Sequence, residues 1–284
     1  MSSNITKELK AAYARYGIET KGNKIVSPIG LISPVLKDGN TKTGKGVKTF
    51  SLLAGMREYY SHVYGKVCGT CGYNCPGCYA MTGKYNCDNV IDSNAVNTLL
   101  AREFPEFLEN AIRAQLETLP GVDIRIHAAG DFFSQEYAAM WARIVRDFPN
   151  NNFWTYTKTE YENTFDGLPN GNIVKSVLPV GGFNFGHIDY VLKMYAELVA
   201  AGETPYICRC TLDKDQHCEN CKGCIDNNYV LFIEHATKYN AAKDPLFAAA
   251  LDIVDRQKTE TPETIAARVV KILTNAARAI AKAA

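Results

Sequence analysis

Residues 123–158, DIRIHAAGDFFSQEYAAMWARIVRDFPNNNFWTYTK, decide the fold class. Ile124 and Ile126 alternate with polar neighbours, the pattern of a half-buried strand. Gly130 and Asp131 follow as a turn, and Ser134 stands where a helix N-cap accepts a backbone N–H. Tyr137, Met140, Trp141, Ile144, Val145 and Phe148 then recur at helical spacing until Pro149 and the asparagines stop the helix. The next segment, NFWTYTK (152–158), is rich in β-branched and aromatic residues and reads as a second strand. A strand, a helix and a strand in so short a span predict a parallel pair, because the helix carries the chain back to the starting edge of the sheet.

The same order extends in both directions. VKTFSLLA (47–54) reads as an earlier strand, followed by a cysteine loop and a long helical stretch from about Ser93 to Leu116. NIVKSVLPV (172–180) reads as a strand, and Asp189 opens a helix with Tyr190, Val191, Met194, Tyr195, Leu198 and Val199 inward, closed by Gly202. TPYICRC (204–210) and NYVLFIEH (228–235) are the last strands. Thr261 and Pro262 start a final helix whose apolar face is Ile265, Val269, Leu273, Ala276 and Ile280. Six strands separated mostly by helices predict a parallel α/β sheet, either open or curved into an incomplete barrel. The expected organisation is an N-terminal extension (1–46), a sheet region carrying the cysteines (47–236) and a C-terminal helical segment (237–284).

In such sheets reactive residues lie past the carboxyl ends of the strands. That rule picks out the loop 68–80, Gly130–Asp131, Thr157–Lys158, Gly181–Gly182, the segment Cys208–Cys224 and His235. GNTKTGKGVK (39–48) superficially suggests a phosphate loop, but it precedes a strand and has the wrong spacing.

The chain has 284 residues, 46% of them hydrophobic, enough to bury a large core. A net charge of +1 gives no global basic field and hence no strong nucleic-acid signal. No apolar run approaches the roughly 18 residues of a membrane span, and the N-terminus lacks a secretory core. The expectation is a soluble cytoplasmic protein.

Ten cysteines in a reducing compartment point to metal or catalysis rather than disulfides. Nine fall in two groups, 68–78 and 208–224, leaving Cys87 as an expected ordinary buried thiol. In CGTCGYNCPGC (68–78) the pairs Cys68/Cys71 and Cys75/Cys78 are too close for the usual two-knuckle zinc site, and an iron–sulfur cubane suits them better. The second group, Cys218-x2-Cys221-x2-Cys224 with Cys210 or Cys208, suits an auxiliary [4Fe-4S] cluster, with four-cysteine zinc as the competing reading. His217 beside it reads as a loop residue with ligand capacity.

The spacing Cys71-x3-Cys75-x2-Cys78 resembles the radical S-adenosylmethionine (SAM) superfamily. That resemblance implies an incomplete, about six-stranded parallel β/α barrel with C-terminal helices. It also implies that three cysteines hold a [4Fe-4S] cluster whose fourth iron binds SAM for reductive cleavage. Gly130 and Asp131 would then receive the methionine ammonium, Thr157 and Lys158 would line the cofactor, and Lys158 would face its carboxylate. His127, Lys158 and His235 are the catalytic candidates, His127 also reading as an interior strand histidine. If Cys68 ligates as well, the cubane is closed and suits electron transfer.

FSLLAG (50–55), CYA (78–80), NVIDSNAVN (89–97), IRIHAAGDFFSQEYAAMW (124–141) and YTKT (156–159) together resemble the phage gene product 88 family over residues 47–236. This implies a phage protein in the host cytoplasm. The chain departs from the resemblances in its extra cysteines before Cys78 and in Gly77, where radical SAM enzymes usually carry an aromatic residue. The expected function is a radical SAM-type enzyme with an unassigned small or macromolecular substrate and an electron donor. The alternative is a non-catalytic metal protein, with zinc or closed clusters, acting in nucleic-acid or host-protein binding or in electron transfer.

Overall fold

The computed structural model describes residues 4–55, 57–61, 64–71, 78–213, 215–234 and 245–283. The chain divides into two compact units, Met1–Asn40 with Lys45–Ile173, and Thr41–Gly44 with Val174–Ala284.

Unit one begins with α1 (Lys7–Arg15), capped by the Thr6 hydroxyl, which accepts the Leu9 N–H at 3.2 Å. A three-stranded antiparallel sheet follows: β1 (Thr20–Lys21), β2 (Lys24–Ser27) and β3 (Gly30–Ile32). The main sheet is built from β4 (Lys37–Asp38), β5 (Lys48–Thr49), β8 (Ile124–Arg125), β9 (Phe153–Thr157) and β10 (Gly171–Lys175), in the order β10-β9-β8-β5-β4. Between β5 and β8 come the hairpin β6 (Glu58–Ser61) and β7 (Gly65–Cys68), then α2 (Asp88–Glu103) and α3 (Pro105–Glu117). The helix α4 (Gln135–Asp147) joins β8 to β9, and these two strands pair in parallel as the opening stretch predicts.

Several local expectations are revised. The helix expected over 93–116 is two helices, because Pro105 lacks an N–H and its ring clashes with the preceding turn. The strand expected at 47–54 is short in regular ladder. Phe50, Leu52 and Ala128 nevertheless keep it laced to its neighbour: Phe50 N–H to Arg125 O (3.0 Å), Ala128 N–H to Phe50 O (2.8 Å) and Leu52 N–H to Ala129 O (2.9 Å). β8 stops before His127 because that residue takes a positive φ of 54°, which strand pairing excludes. The segment before Asn40 packs into this unit: Tyr13, Ile25, Val35 and Leu36 are buried in one core with Phe50, Ile112, Trp141 and Phe153.

Unit two has a parallel three-stranded sheet in the order β11-β13-β12, made of β11 (Phe185–Gly186), β12 (Pro205–Ile207) and β13 (Tyr229–Ile233). α5 (Ile188–Ala200), the single-turn α6 (Gly223–Asp226), α7 (Pro245–Arg256) and α8 (Pro262–Ala283) complete it. The inward residues of α5 form one core with Ile207, Leu231, Ile253, Ile265 and Val269. The fold is therefore mixed α/β with several sheets and C-terminal helices. No helix among the described residues is long and apolar enough to cross a membrane.

The cap foreseen for α4 is present: the Ser134 hydroxyl accepts the Tyr137 N–H at 3.2 Å. Ser134→Ala is expected to lower stability by about 1 kcal/mol, read as a reduced urea midpoint with an unchanged slope.

Candidate functional site

The first cysteine group grows out of the β6–β7 hairpin, which sequence reading missed. Cys68 ends β7 opposite Glu58, on the face that carries the Lys66–Glu58 ion pair, while Val67 points inward. Gly69 follows where the Gly55 carbonyl leaves no room: a Cβ there would lie 2.1 Å from that oxygen. Cys71 and Cys78 are half-buried, and Cys78 packs against the cluster of Ala54, Ala80 and Ala129. Cys75, Gly77 and His235 lie outside the described residues. Cys87 is exposed at the start of α2 rather than buried, because the short turn before it ends on the surface.

Beside this loop the residues expected to bind a cofactor meet one another. Thr70 hydrogen-bonds the Leu53 carbonyl through its N–H (2.9 Å), and its Oγ1 accepts the Asp131 N–H at 3.1 Å. Asp131 Oδ1 accepts the Thr157 hydroxyl at 2.7 Å and the Phe132 N–H at 2.8 Å, and Oδ2 accepts the Lys158 N–H at 3.1 Å. The carboxyl group is buried; desolvation raises its pKa, and the bonds from Thr157, Lys158 and Phe132 oppose that rise. Gly130 has φ 84°, and a Cβ would lie 2.6 Å from Leu52 Cβ and 2.8 Å from Thr70 Oγ1. Glycine is thus required by the chain's own packing. Thr70 carries no recognisable sequence signal, because its part depends on a partner 61 residues away.

His127 is an interior residue. Its Nε2 lies 2.9 Å from Tyr137 Oη and its Nδ1 3.2 Å from Thr155 Oγ1, and burial pushes its pKa down to about 3. One nitrogen donates and the other accepts in the neutral ring.

In unit two, five cysteines occupy the segment after β12. The Cys208 N–H bonds the Leu231 carbonyl at 2.8 Å, which seats that cysteine at the carboxyl end of the strand. Cys210 is hydrogen-bonded with Cys208, Cys218 and Cys221, and these neighbours, with burial, push its thiol up. Cys221 is pulled down to about 5, first by the Cys210 hydrogen bond, then by Tyr206 and the Gly223 N–H, with the Lys258 charge adding to this and burial opposing it. Tyr206 Oη lies 3.6 Å from Cys221 Sγ, and its ring passes so close to Gly223 that a Cβ there would be 2.4 Å away. Cys208 therefore joins Cys210, Cys218 and Cys221, while Cys224 sits on α6. Among the described residues, His217 Nδ1 is buried without a hydrogen-bond partner. A cavity of about 200 Å³ opens beside Cys221, walled by Tyr206, Arg209, Lys222 and Lys258.

Among the described residues no three histidine, cysteine, aspartate or glutamate side chains already form a metal shell. Four soft donors drawn together from two turns nonetheless fit a thiophilic metal or cluster. Residues 41–44, in the stretch that suggests a phosphate loop, clasp this group. The Lys42 and Thr43 carbonyls accept the Cys218 and Glu219 N–H groups at 3.0 and 3.1 Å. Gly44 has φ 86°, and a Cβ would lie 2.2 Å from the Glu219 carboxyl carbon. Gly181 and Gly182 form a turn pinned by Tyr190, whose Oη bonds the Phe183 N–H and carbonyl at 3.0 Å each.

The family model described as gene product 88 matches residues 34–179, about half of the chain. The Gene 88 protein of Mycobacterium phage L5 is 30% identical over 146 residues, covering 45% of this chain and 59% of that protein. The Gene 88 protein of Mycobacterium phage D29 is 30% identical over 139 residues, covering 44% and 55%. The chain thus spans little more than half the length of these curated relatives. No solved structure matches it significantly.

Gly130→Ala is expected to destabilise the protein by about 2 kcal/mol or more, through the positive φ and the overlap with Leu52 and Thr70, measured by urea unfolding. His127 stays neutral in the folded chain down to about pH 3, whereas the unfolded residue takes up a proton near its ordinary value of 6.5. In that window the unfolded state binds more protons, so stability falls as pH drops through it. Urea midpoints against pH should show a shallower acid loss in His127→Gln than in wild type, the difference vanishing above about pH 7.

Proposed function

The chain belongs to the gene product 88 family, and for this member we propose an iron–sulfur function of radical SAM type. On this reading Cys71, Cys75 and Cys78 hold a [4Fe-4S] cluster with one iron free of protein ligands. Cys208, Cys210, Cys218 and Cys221 hold a second centre closed by the protein, a cluster or a zinc ion, with Cys224 in reserve. One observation carries the reading. The cysteine loop, through Thr70, meets Gly130–Asp131 and Thr157–Lys158 at the carboxyl ends of the parallel strands β5, β8 and β9. That is where α/β folds keep their chemistry, and these strands are the part of an incomplete β/α barrel that the reading requires.

When bound, such a cluster supplies an electron to SAM. The chain's own residues do the holding. Ala54, Ala80 and Ala129 give Cys78 an apolar bed that excludes water. Asp131 spends three acceptor positions on the chain, so it acts by fixing the Phe132 and Lys158 backbones and the Thr157 hydroxyl, while the Lys158 ammonium supplies charge for a carboxylate. His127, neutral and bonded at both nitrogens, positions β8 against Tyr137 and Thr155 and moves no proton.

The engagement of Asp131 by its own chain, together with Cys68 as a potential fourth ligand, favours a second reading: a non-catalytic protein with saturated metal centres, serving in electron transfer or in binding nucleic acid or a host protein.

Anaerobically reconstituted full-length protein is expected to contain iron and sulfide and to form 5′-deoxyadenosine from SAM with dithionite. Cys75→Ala should abolish that product while retaining the second centre's metal, and Cys210→Ser should lose the metal of one centre. Colourless zinc protein, or brown protein that never yields 5′-deoxyadenosine, would overturn the first reading in favour of the second.

A further inference from the structure

Residues 41–44 form the tip of a loop whose ends are tied. Lys37 pairs with Thr49 and Asp38 with Lys48, and the Gly39 N–H bonds the Val47 carbonyl at 2.8 Å. A loop closed in this way loses little further freedom when its tip docks. The tip is gathered into unit two, and Thr43 near its centre is 0% exposed. Its anchors are backbone groups. The Lys42 carbonyl accepts the N–H of Cys218 at 3.0 Å, and the Thr43 carbonyl accepts that of Glu219 at 3.1 Å. Gly44 has φ 86°, and the Glu219 carboxyl lies over it where a Cβ would stand.

The two donor N–H groups belong to the turn that carries the thiols. Cys218–Asn220 is one turn of 3-10 helix, closed by the Cys221 N–H on the Cys218 carbonyl at 3.0 Å. Cys218 and Cys221 stand at its two ends, and both are hydrogen-bonded to Cys210. Residues 218–220 are half-buried or exposed, so apolar packing contributes little to fixing this turn. Whatever fixes the two sulfurs also fixes the N–H groups that hold the strap. Conversely, the docked strap keeps the two sulfurs in place. Two binding events that order the same few residues are coupled, and each strengthens the other by the same factor.

We propose that the strap is a metal-dependent latch: metal at the second centre locks residues 41–44 onto the Cys218–Cys221 turn, and loss of the metal releases them. The inference rests on the reading of Cys208, Cys210, Cys218 and Cys221 as a metal centre. Its consequence is local. Lys42 and Lys45 are exposed in the docked strap, but a protease needs the backbone around them free, and only release supplies that.

The test is cleavage of the whole chain, purified metal-free under reducing conditions, by a lysine-specific endoprotease at a series of buffered free zinc concentrations. Zinc is the probe because four thiolates hold it well, whichever metal the centre carries. Mass spectrometry reads the cuts after Lys42 and Lys45, and a reporter peptide checks that zinc leaves the protease unaffected. Zinc is expected to slow both cuts at least about tenfold, the worth of two backbone hydrogen bonds, because cleavage follows the population of the released form. Cys210→Ser removes a thiol of the centre and should be cut equally fast with and without zinc. Gly44→Val touches no thiol but forces a β-branched side chain into a positive φ and against Glu219. The zinc concentration that half-suppresses its cleavage should rise at least about tenfold.

Equal cleavage of wild type with and without zinc overturns the proposal, and zinc content of the same samples then says why. Zinc held by wild type but lost from Cys210→Ser leaves a second centre without a latch, whereas equal zinc in both removes the centre as well. Protection of Cys210→Ser equal to that of wild type, or an unmoved midpoint in Gly44→Val, also overturns the latch. Should Cys210→Ser fail to fold, Gly44→Val still decides.

Discussion

A buried carboxylate organises the end of the sheet where the chemistry is sought. Asp131 sits at the exit of β8, takes the Thr157 hydroxyl and the Lys158 N–H from the exit of β9, and offers its own N–H to Thr70 of the cysteine loop. Thr70 in turn is bonded to Leu53 on the continuation of β5. Three strand ends and a loop are thus locked through one side chain and its backbone. A charge in so dry a place is tolerable only because donors surround it. The close passage at Gly130 follows from the same knot, since Thr70 can reach Asp131 only where residue 130 has no Cβ.

The two cysteine groups solve different problems. Cys71 follows closely on a hairpin, and Cys78 rests on small apolar residues. The second group is drawn into one cluster by two turns and a strap, residues 41–44, from far earlier in the chain. Sulfurs this close repel once they ionise, and the neighbouring thiols accordingly push the Cys210 thiol up while its hydrogen bond pulls Cys221 down. A soft cation or cluster would replace those hydrogen bonds with stronger bonds and balance the charge. The strap means that the N-terminal region contributes directly to the second group.

Much of this was legible in linear order. The α4 stripe, its Ser134 cap, the parallel pairing of β8 with β9 and the strands around the second cysteine group follow from periodicity and local chemistry, because each depends on residues within a few turns of one another. The misreadings have equally local causes. His127 fits the alternation of a strand yet adopts a positive φ, because the turn that delivers Gly130 begins there. Phe104–Pro105 interrupts a continuous helical stripe that apolar spacing alone does not reveal. The β6–β7 hairpin is hidden by polar, tyrosine-rich strands, one face of which is charged.

By itself, the sequence determined which residues can do chemistry: the thiols with their spacings, the glycine–aspartate turn and the threonine–lysine strand end, since donor type and short-range spacing are properties of the chain. Tertiary structure alone decided what those residues are engaged in. Asp131 is bonded by Thr70, Thr157 and Lys158, and residues 41–44 become a strap on the second cysteine group. Each of these depends on partners dozens of residues apart, and only the packing of strands and loops in three dimensions brings such partners within hydrogen-bonding distance.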